Sequence, residues 1–92
     1  MIESPITIKN RTGLHARAAA KLVETITSFS STVEISNGEK TVDGKSILSV
    51  MLLAASPGTE LILIINGNDE AEVLQAIQTL VENNFGEDAH LE

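Results

Sequence analysis

The chain has 92 residues, of which 42% are hydrophobic and 21% charged, and this length predicts one small domain. It contains no cysteine, which excludes disulfides, thiolate chemistry and cysteine-bound zinc. The formal net charge of −7 argues against nucleic acid or an anionic membrane as a partner. We expect a cytoplasmic protein with no membrane insertion, because no signal peptide or long apolar run is present.

The first half of the chain predicts a strand, a helix and a hairpin. Ile2 to Ile8 is short and β-branched, which favours a strand. From Ala16 to about Thr27 the apolar residues recur at helical spacing. Thr32 to Ser36 and Lys40 to Asp43 read as strands around Asn37-Gly38, a dipeptide that predicts a tight type I′ turn.

The second half predicts a short helix and a buried strand. Ser46 stands where it can cap an apolar helix that runs from Ile47 to Leu52. Glu60 to Asn66 is rich in isoleucine and too short for a preferred helix. We expect Glu60 to Asn66 to be a central strand of the sheet.

A third helix completes the predicted fold. Asp69 followed by Glu72 resembles a capping box, and the apolar stripe after it extends to about Asn83. The order is βαββαβα, which predicts an α+β, two-layer open-faced sandwich with a four-stranded, mainly antiparallel sheet and three helices on one face. We expect one domain over residues 1–88 and a tail over residues 89–92, in which Leu91-Glu92 is an expression scar.

Charge is unevenly distributed along the chain. No Asp or Glu occurs between Ser4 and Val23, and this stretch holds four of the six basic residues: Lys9, Arg11, Arg17 and Lys21. From Asp69 to the end there are seven acidic residues and no Lys or Arg. The basic segment is either a solvated face or a site for a small anion or an acidic protein.

His15 lies in the basic segment, at the predicted start of the first helix. A helix start presents unpaired N–H groups and favours an anion by ~0.3–1 kcal/mol. The Arg17 guanidinium suits phosphate oxygens, and a neutral imidazole is a nucleophile that can accept a phosphoryl group. The alternative is an incidental surface histidine.

Two motifs favour the phosphoryl-accepting histidine over the incidental surface histidine. Thr12 to Arg17, with the sequence TGLHAR, and Gly44 to Met51, with the sequence GKSILSVM, resemble the active-site and regulatory-serine segments of the HPr family. HPr proteins are histidine-containing phosphocarriers of the bacterial phosphoenolpyruvate-dependent phosphotransferase system, with nitrogen-branch relatives.

The resemblance implies that the δ nitrogen of His15 takes a phosphoryl group from enzyme I and passes it to an enzyme II A component. It also implies the βαββαβα fold and no metal or organic cofactor. Arg17 would stabilise the phosphate, supported by Thr12, Gly13 and Ala16. The family usually has proline after the arginine, and here Ala18 takes its place. We expect a less rigid histidine loop without loss of transfer.

Ser46 and the apolar helix after it each have two interpretations. The serine is either simply an N-cap or, as the resemblance implies, also a phosphorylation site for an HPr kinase. The apolar residues Ile47, Leu48 and Met51 are either core or, as the resemblance implies, a docking patch beside His15. In the second case Ala20 allows close approach, and the charged rim consists of Arg11, Lys21 and Lys45.

The leading hypothesis is therefore a stoichiometric phosphoryl carrier, monomeric and not itself an enzyme. The alternative is a regulatory binding module whose phosphorylation state selects protein partners. A catalytic enzyme is the weakest hypothesis, because the sequence has no glycine-rich phosphate loop and no paired carboxylates. His90 has no role that the sequence reveals.

Overall fold

The computed structural model describes residues 1–86. The expected tail and His90 lie outside these residues. The elements follow the predicted order, with strands β1 Ile2–Thr7, β2 Thr32–Ser36, β3 Thr41–Asp43 and β4 Glu60–Asn66, and helices α1 Ala16–Thr27, α2 Ile47–Met51 and α3 Glu70–Glu82.

The four strands form one sheet in the order β1-β4-β2-β3, and every neighbouring pair is antiparallel. β4 has a partner on each side, as its apolar run predicted. Its odd-numbered residues, Leu61, Leu63 and Ile65, are fully buried, while Ile62 and Ile64 on the opposite face are half-buried. This alternation places the core on one face of the sheet.

The three helices cover that face. α1 packs against both α2 and α3, and α3 also packs on β1 and β4. The buried stripe of α1 is as predicted, since Ala19, Leu22, Val23 and Ile26 are all buried. The expected α+β sandwich with helices on one face is confirmed, and the described residues share one hydrophobic core.

The turn between β2 and β3 differs from the prediction. Ser36 pairs with Thr41, so four residues rather than two connect the strands. Asn37 lacks the positive φ that a type I′ turn needs, and within the loop only Gly38 has one, at +95°. The physical reason is that Asn37 Oδ1 accepts from the backbone N–H groups of residues 39 and 40, at 2.9 and 2.8 Å. The prediction of a type I′ turn was wrong.

The start of α3 also differs. Asp69 occupies the N-cap position, but its side chain makes no capping hydrogen bond, so the predicted capping box is absent. The carboxylate instead accepts from the backbone N–H groups of Ser30 and Ser31, at 2.9 and 3.0 Å, and from both hydroxyls. The carboxylate thus has four donors here, whereas a capping bond would supply a single helix amide. These bonds join the segment after α1 to the start of α3. Glu70 accepts from Gly67 N–H at 3.1 Å.

These bonds lower the pKa of Asp69 to about 2, from an ordinary value of 3.8, chiefly through the Ser31 hydroxyl. Because the pKa is lower in the folded protein, the carboxylate stabilises the fold fully above 3.8, and this contribution is lost as pH falls through 2.

We predict that Asp69→Asn unfolds at lower urea concentration than the wild type at pH 7. The difference between the two free energies of unfolding should shrink as pH is lowered from about 5 to about 2. Urea titrations across this range measure it. A difference that stays constant with pH would show that the charge of Asp69 contributes nothing.

Candidate functional site

His15 is the N-cap residue of α1. Its backbone is extended, with φ −82° and ψ −174°, and its carbonyl accepts the first helical hydrogen bond from Ala19 N–H at 2.8 Å. Its Nδ1 accepts from Arg17 N–H at 3.2 Å. The imidazole therefore does what Ser, Asp or Asn does at most helix starts, by satisfying one otherwise unpaired amide.

This hydrogen bond has a chemical consequence. A ring nitrogen that accepts an N–H bond carries a lone pair rather than a proton, which places the proton of a neutral ring on Nε2. Nδ1 thus lies at the positive end of α1, where an anionic group bound to it would meet backbone donors. The δ nitrogen is the one that the family resemblance implies.

The loop before His15 is held by close backbone packing. Gly13 has φ +70°, and a Cβ there would lie 2.6 Å from the carbonyl oxygen of Ala55. Leu14 is buried, and its N–H donates to the same oxygen at 2.8 Å. Gly13 is therefore required by the backbone contact with the segment that leaves α2.

The other phosphate-supporting candidates lie on the exposed side of the loop. Thr12, Ala16 and Arg17 are all exposed, and Arg17 lies in the first turn of α1 beside His15. Within residues 1–86 no carboxylate lies within ion-pair distance of the Arg17 guanidinium. Its charge is available to an oxyanion.

Ala18 is fully buried as the third residue of α1. Backbone N–H groups in the first helical turn lack intrahelical acceptors, which is why proline is tolerated there. The helix begins at Ala16 without the proline that the family usually has. The rigidity of the loop therefore depends on the contacts of Gly13 and Leu14.

α2 presents an apolar surface to solvent. Leu48 and Leu52 are 76% and 65% exposed, and Ile47 and Met51 are 39% and 38% exposed. Only Val50 of this helix is buried. The interpretation of Ile47, Leu48 and Met51 as core residues is wrong. Leu52 belongs to the same surface, although the sequence predicted it only as a residue of the helix. Its position four residues after Leu48 places both side chains on the same helix face and could have indicated this.

The expected charged rim is only partly exposed. Arg11 and Lys21 are exposed and Ala20 is half-buried. Lys45 is half-buried, and its Nζ donates to the carbonyl oxygen of Phe29 at 3.2 Å, just after the end of α1. This contact gives Lys45 a structural role, because a cation near a helix C-terminus is favourable.

Ser46 is the N-cap of α2, as predicted. Its Oγ accepts from Ser49 N–H at 3.3 Å, and its backbone is extended. Ser46 is half-buried at the edge of the exposed apolar surface. The N-cap interpretation is confirmed, and phosphorylation stays a prediction.

Neither a metal site nor a membrane helix is found within residues 1–86. They hold no group of three or more His, Cys, Asp or Glu side chains suited to a metal ion. None of their helices has the length and apolar character needed to span a bilayer.

Comparison with known proteins gives consistent matches along nearly the whole chain. The model of the family described as the PTS HPr component phosphorylation site matches residues 2–83. Phosphocarrier protein HPr of Xylella fastidiosa strain Temecula1 is 49% identical over 88 residues, covering 96% of this chain and 99% of that protein. Crystal structures of HPr-C-His and of an HPr dimer, both from Thermoanaerobacter tengcongensis and both 45% identical, match with TM-scores of 0.90 and 0.75. They cover 95% of this chain and 98% and 100% of theirs.

The fold is thus that of the phosphocarrier proteins named HPr. The chain belongs to the PTS-HPr family. The sequence-based resemblance is confirmed.

We predict that Gly13→Ala lowers the free energy of unfolding by about 2–4 kcal/mol, because it adds a backbone clash to an unfavourable positive φ. Gly38→Ala is the matched control: Gly38 has φ +95° but nothing within 4 Å of its Cβ position. Gly38→Ala should lower the free energy of unfolding by only about 1–2 kcal/mol. Urea denaturation of both variants measures the difference, and equal losses would contradict the proposed role of the Ala55 contact.

Proposed function

We propose that this chain is a phosphoryl carrier of the phosphotransferase system, which takes a phosphoryl group from phosphorylated enzyme I on His15 Nδ1 and passes it to enzyme II A components. The observation that carries the proposal is the Nδ1 acceptor bond to Arg17 N–H at the start of α1. Family membership supports the carrier role, and this bond supports the choice of nitrogen.

The transfer step follows from the orientation of the ring. The Nδ1 lone pair gives up its hydrogen bond with Arg17 N–H and attacks phosphorus. The N–P bond forms as the bond from phosphorus to the donor breaks, and the electrons of that bond stay on the donor. Nε2 keeps its proton throughout. The second transfer is the same exchange, with the acceptor as nucleophile and His15 as leaving group.

Local donors favour the phosphorylated state without making it permanent. Arg17 N–H, which loses its acceptor when Nδ1 reacts, is placed to donate to a phosphate oxygen, and the Arg17 guanidinium adds a charge-assisted contact. The exposed Thr12 and the backbone amide of the exposed Ala16 complete the proposed support. Exposure of these groups lets an acceptor protein replace them. Gly13 would support the phosphate indirectly, by shaping the loop, because its N–H donates to the Asn10 carbonyl.

We predict that His15→Ala and His15→Asn both abolish phosphorylation by enzyme I and phosphoenolpyruvate, while only His15→Asn keeps wild-type stability. Asparagine is a good N-cap, whereas alanine should cost about 0.5–2 kcal/mol because it cannot cap α1. Intact mass with an acid-lability control measures phosphorylation, and urea denaturation measures stability. Acid-labile phosphate retained on either variant would overturn the assignment of His15.

The apolar surface of α2 is the proposed docking patch, defined by Ile47, Leu48, Met51 and Leu52. It lies beside the histidine loop, because the segment that leaves α2 is the one that contacts Gly13 and Leu14. The exposed bases Arg11 and Lys21 would steer an acidic partner, and they would affect its association rate and salt sensitivity.

We predict that Met51→Glu weakens binding to enzyme I by about tenfold or more, because it places a charge in a desolvated apolar contact. Thr79→Glu, at an exposed position of α3, adds the same charge outside the patch. Calorimetric titration with enzyme I compares the two variants. Equal affinities for both would exclude α2 as the docking element.

Ser46 is proposed as a regulatory phosphorylation site for an HPr kinase. Phosphate would place about two negative charges at the edge of the docking patch and oppose an acidic partner. The exposed neighbours Ile47 and Leu48 leave the serine approachable from solvent.

We predict that Ser46→Asp lowers the affinity for enzyme I by about tenfold, whereas Ser46→Asn leaves it unchanged. Both side chains can cap α2, so the pair isolates the charge from the cap. The affinity is measured by titration at low and at physiological salt. An equal loss in both variants would attribute the effect to the fold of α2.

We further propose that the carrier acts as a monomer in the cytoplasm, since each docking event uses one exposed α2 surface. Sedimentation at working concentration tests the oligomeric state, and a stable dimer would contradict it.

A further inference from the structure

Asn10 is a buried polar residue outside the motif that carries the family resemblance. It is 1% exposed, and Ser31 is the other buried polar residue within residues 1–86. Asn10 follows β1 and lies five positions before His15. Burial of an amide side chain in so small a core is costly unless the amide is hydrogen-bonded.

Asn10 makes two hydrogen bonds to Gly13. Its carbonyl accepts from Gly13 N–H at 3.2 Å, and its side-chain Nδ2 donates to the Gly13 carbonyl oxygen at 2.8 Å. The first bond closes a turn over residues 10–13. The second bond, from the side chain, fixes the direction of the Gly13 carbonyl at the end of that turn.

The Gly13 carbonyl and the Leu14 N–H belong to one peptide unit. Asn10 Nδ2 holds the carbonyl end, and the Ala55 carbonyl oxygen holds the N–H end, each at 2.8 Å. A planar peptide bonded at both ends cannot rotate about its flanking bonds without losing one of them. Glycine has the widest backbone freedom of any residue, so this position depends most on such external bonds.

We propose that Asn10 is a positioning residue for phosphoryl transfer, which rests on the proposed function of His15. By fixing the Gly13–Leu14 peptide, Asn10 sets the course of the backbone into His15. That course keeps Nδ1 within hydrogen-bond distance of Arg17 N–H and so keeps the reactive lone pair on Nδ1. Asn10 touches no reacting atom.

The test compares Asn10→Asp and Asn10→Ala with wild type. The aspartate is isosteric but, when ionised, cannot donate to the Gly13 carbonyl. Ser31→Ala is the matched control, because it also removes a buried polar side chain but lies beyond the opposite end of α1 from His15. The readouts are the rate of phosphoryl uptake from enzyme I, measured well below each melting temperature, and ¹⁵N NMR of the His15 ring, which gives the fraction of the neutral ring protonated on Nε2.

We expect the uptake rate of both Asn10 variants to fall by about tenfold or more and the Nε2-protonated fraction to fall with it. Ser31→Ala should lose stability while keeping both values at the wild-type level. Folded Asn10 variants with wild-type rate and ring protonation would overturn the proposal, as would an equal change in Ser31→Ala. If the proposed function itself is wrong, wild type takes up no phosphoryl group, while the ¹⁵N spectra still report whether Asn10 orients His15.

Discussion

The arrangement of the site depends on one close backbone approach, in which Gly13 and Leu14 lie against the carbonyl oxygen of Ala55. Only glycine leaves room for this contact, and the Leu14 N–H satisfies the oxygen that it meets. The contact fixes the loop that carries His15 and joins it to the chain leaving α2. The proposed phosphate acceptor, His15, and the proposed docking surface are therefore held next to each other by the backbone.

Charge and polarity divide the surface in the way that a transient carrier needs. The basic residues around His15 include Arg17, which has no carboxylate partner within ion-pair distance in residues 1–86, so it can meet a phosphate. The exposed side chains of α2 are apolar and uncharged, so contact with them depends on burial of apolar surface rather than on charge. Acidic residues collect around α3, where Asp69 and Glu70 bind backbone donors. The residues proposed to attract a partner thus differ from the acidic residues that stabilise the fold around α3.

The sequence predicted most of the fold because apolar periodicity and turn residues are local signals. It failed where a side chain had a better partner far along the chain: Asp69 binds Ser30 and Ser31 instead of its own helix. The hairpin turn failed for a local reason instead, because the Asn37 side chain accepts from the N–H groups of residues 39 and 40. The motif located His15, but the role of Asn10 depends on a peptide held from two sides, which no spacing in the sequence reveals.

Nδ1 of His15 is the proposed site of the phosphoryl group, and Arg17 N–H is proposed to transfer its hydrogen bond to the phosphate. The most direct test is ¹⁵N and ³¹P NMR of the uniformly ¹⁵N-labelled protein before and after phosphorylation by enzyme I. We expect phosphorus coupling to Nδ1, a proton retained on Nε2, and a large shift of the Arg17 amide resonance. Coupling to Nε2, or an Arg17 amide that does not move, would contradict it.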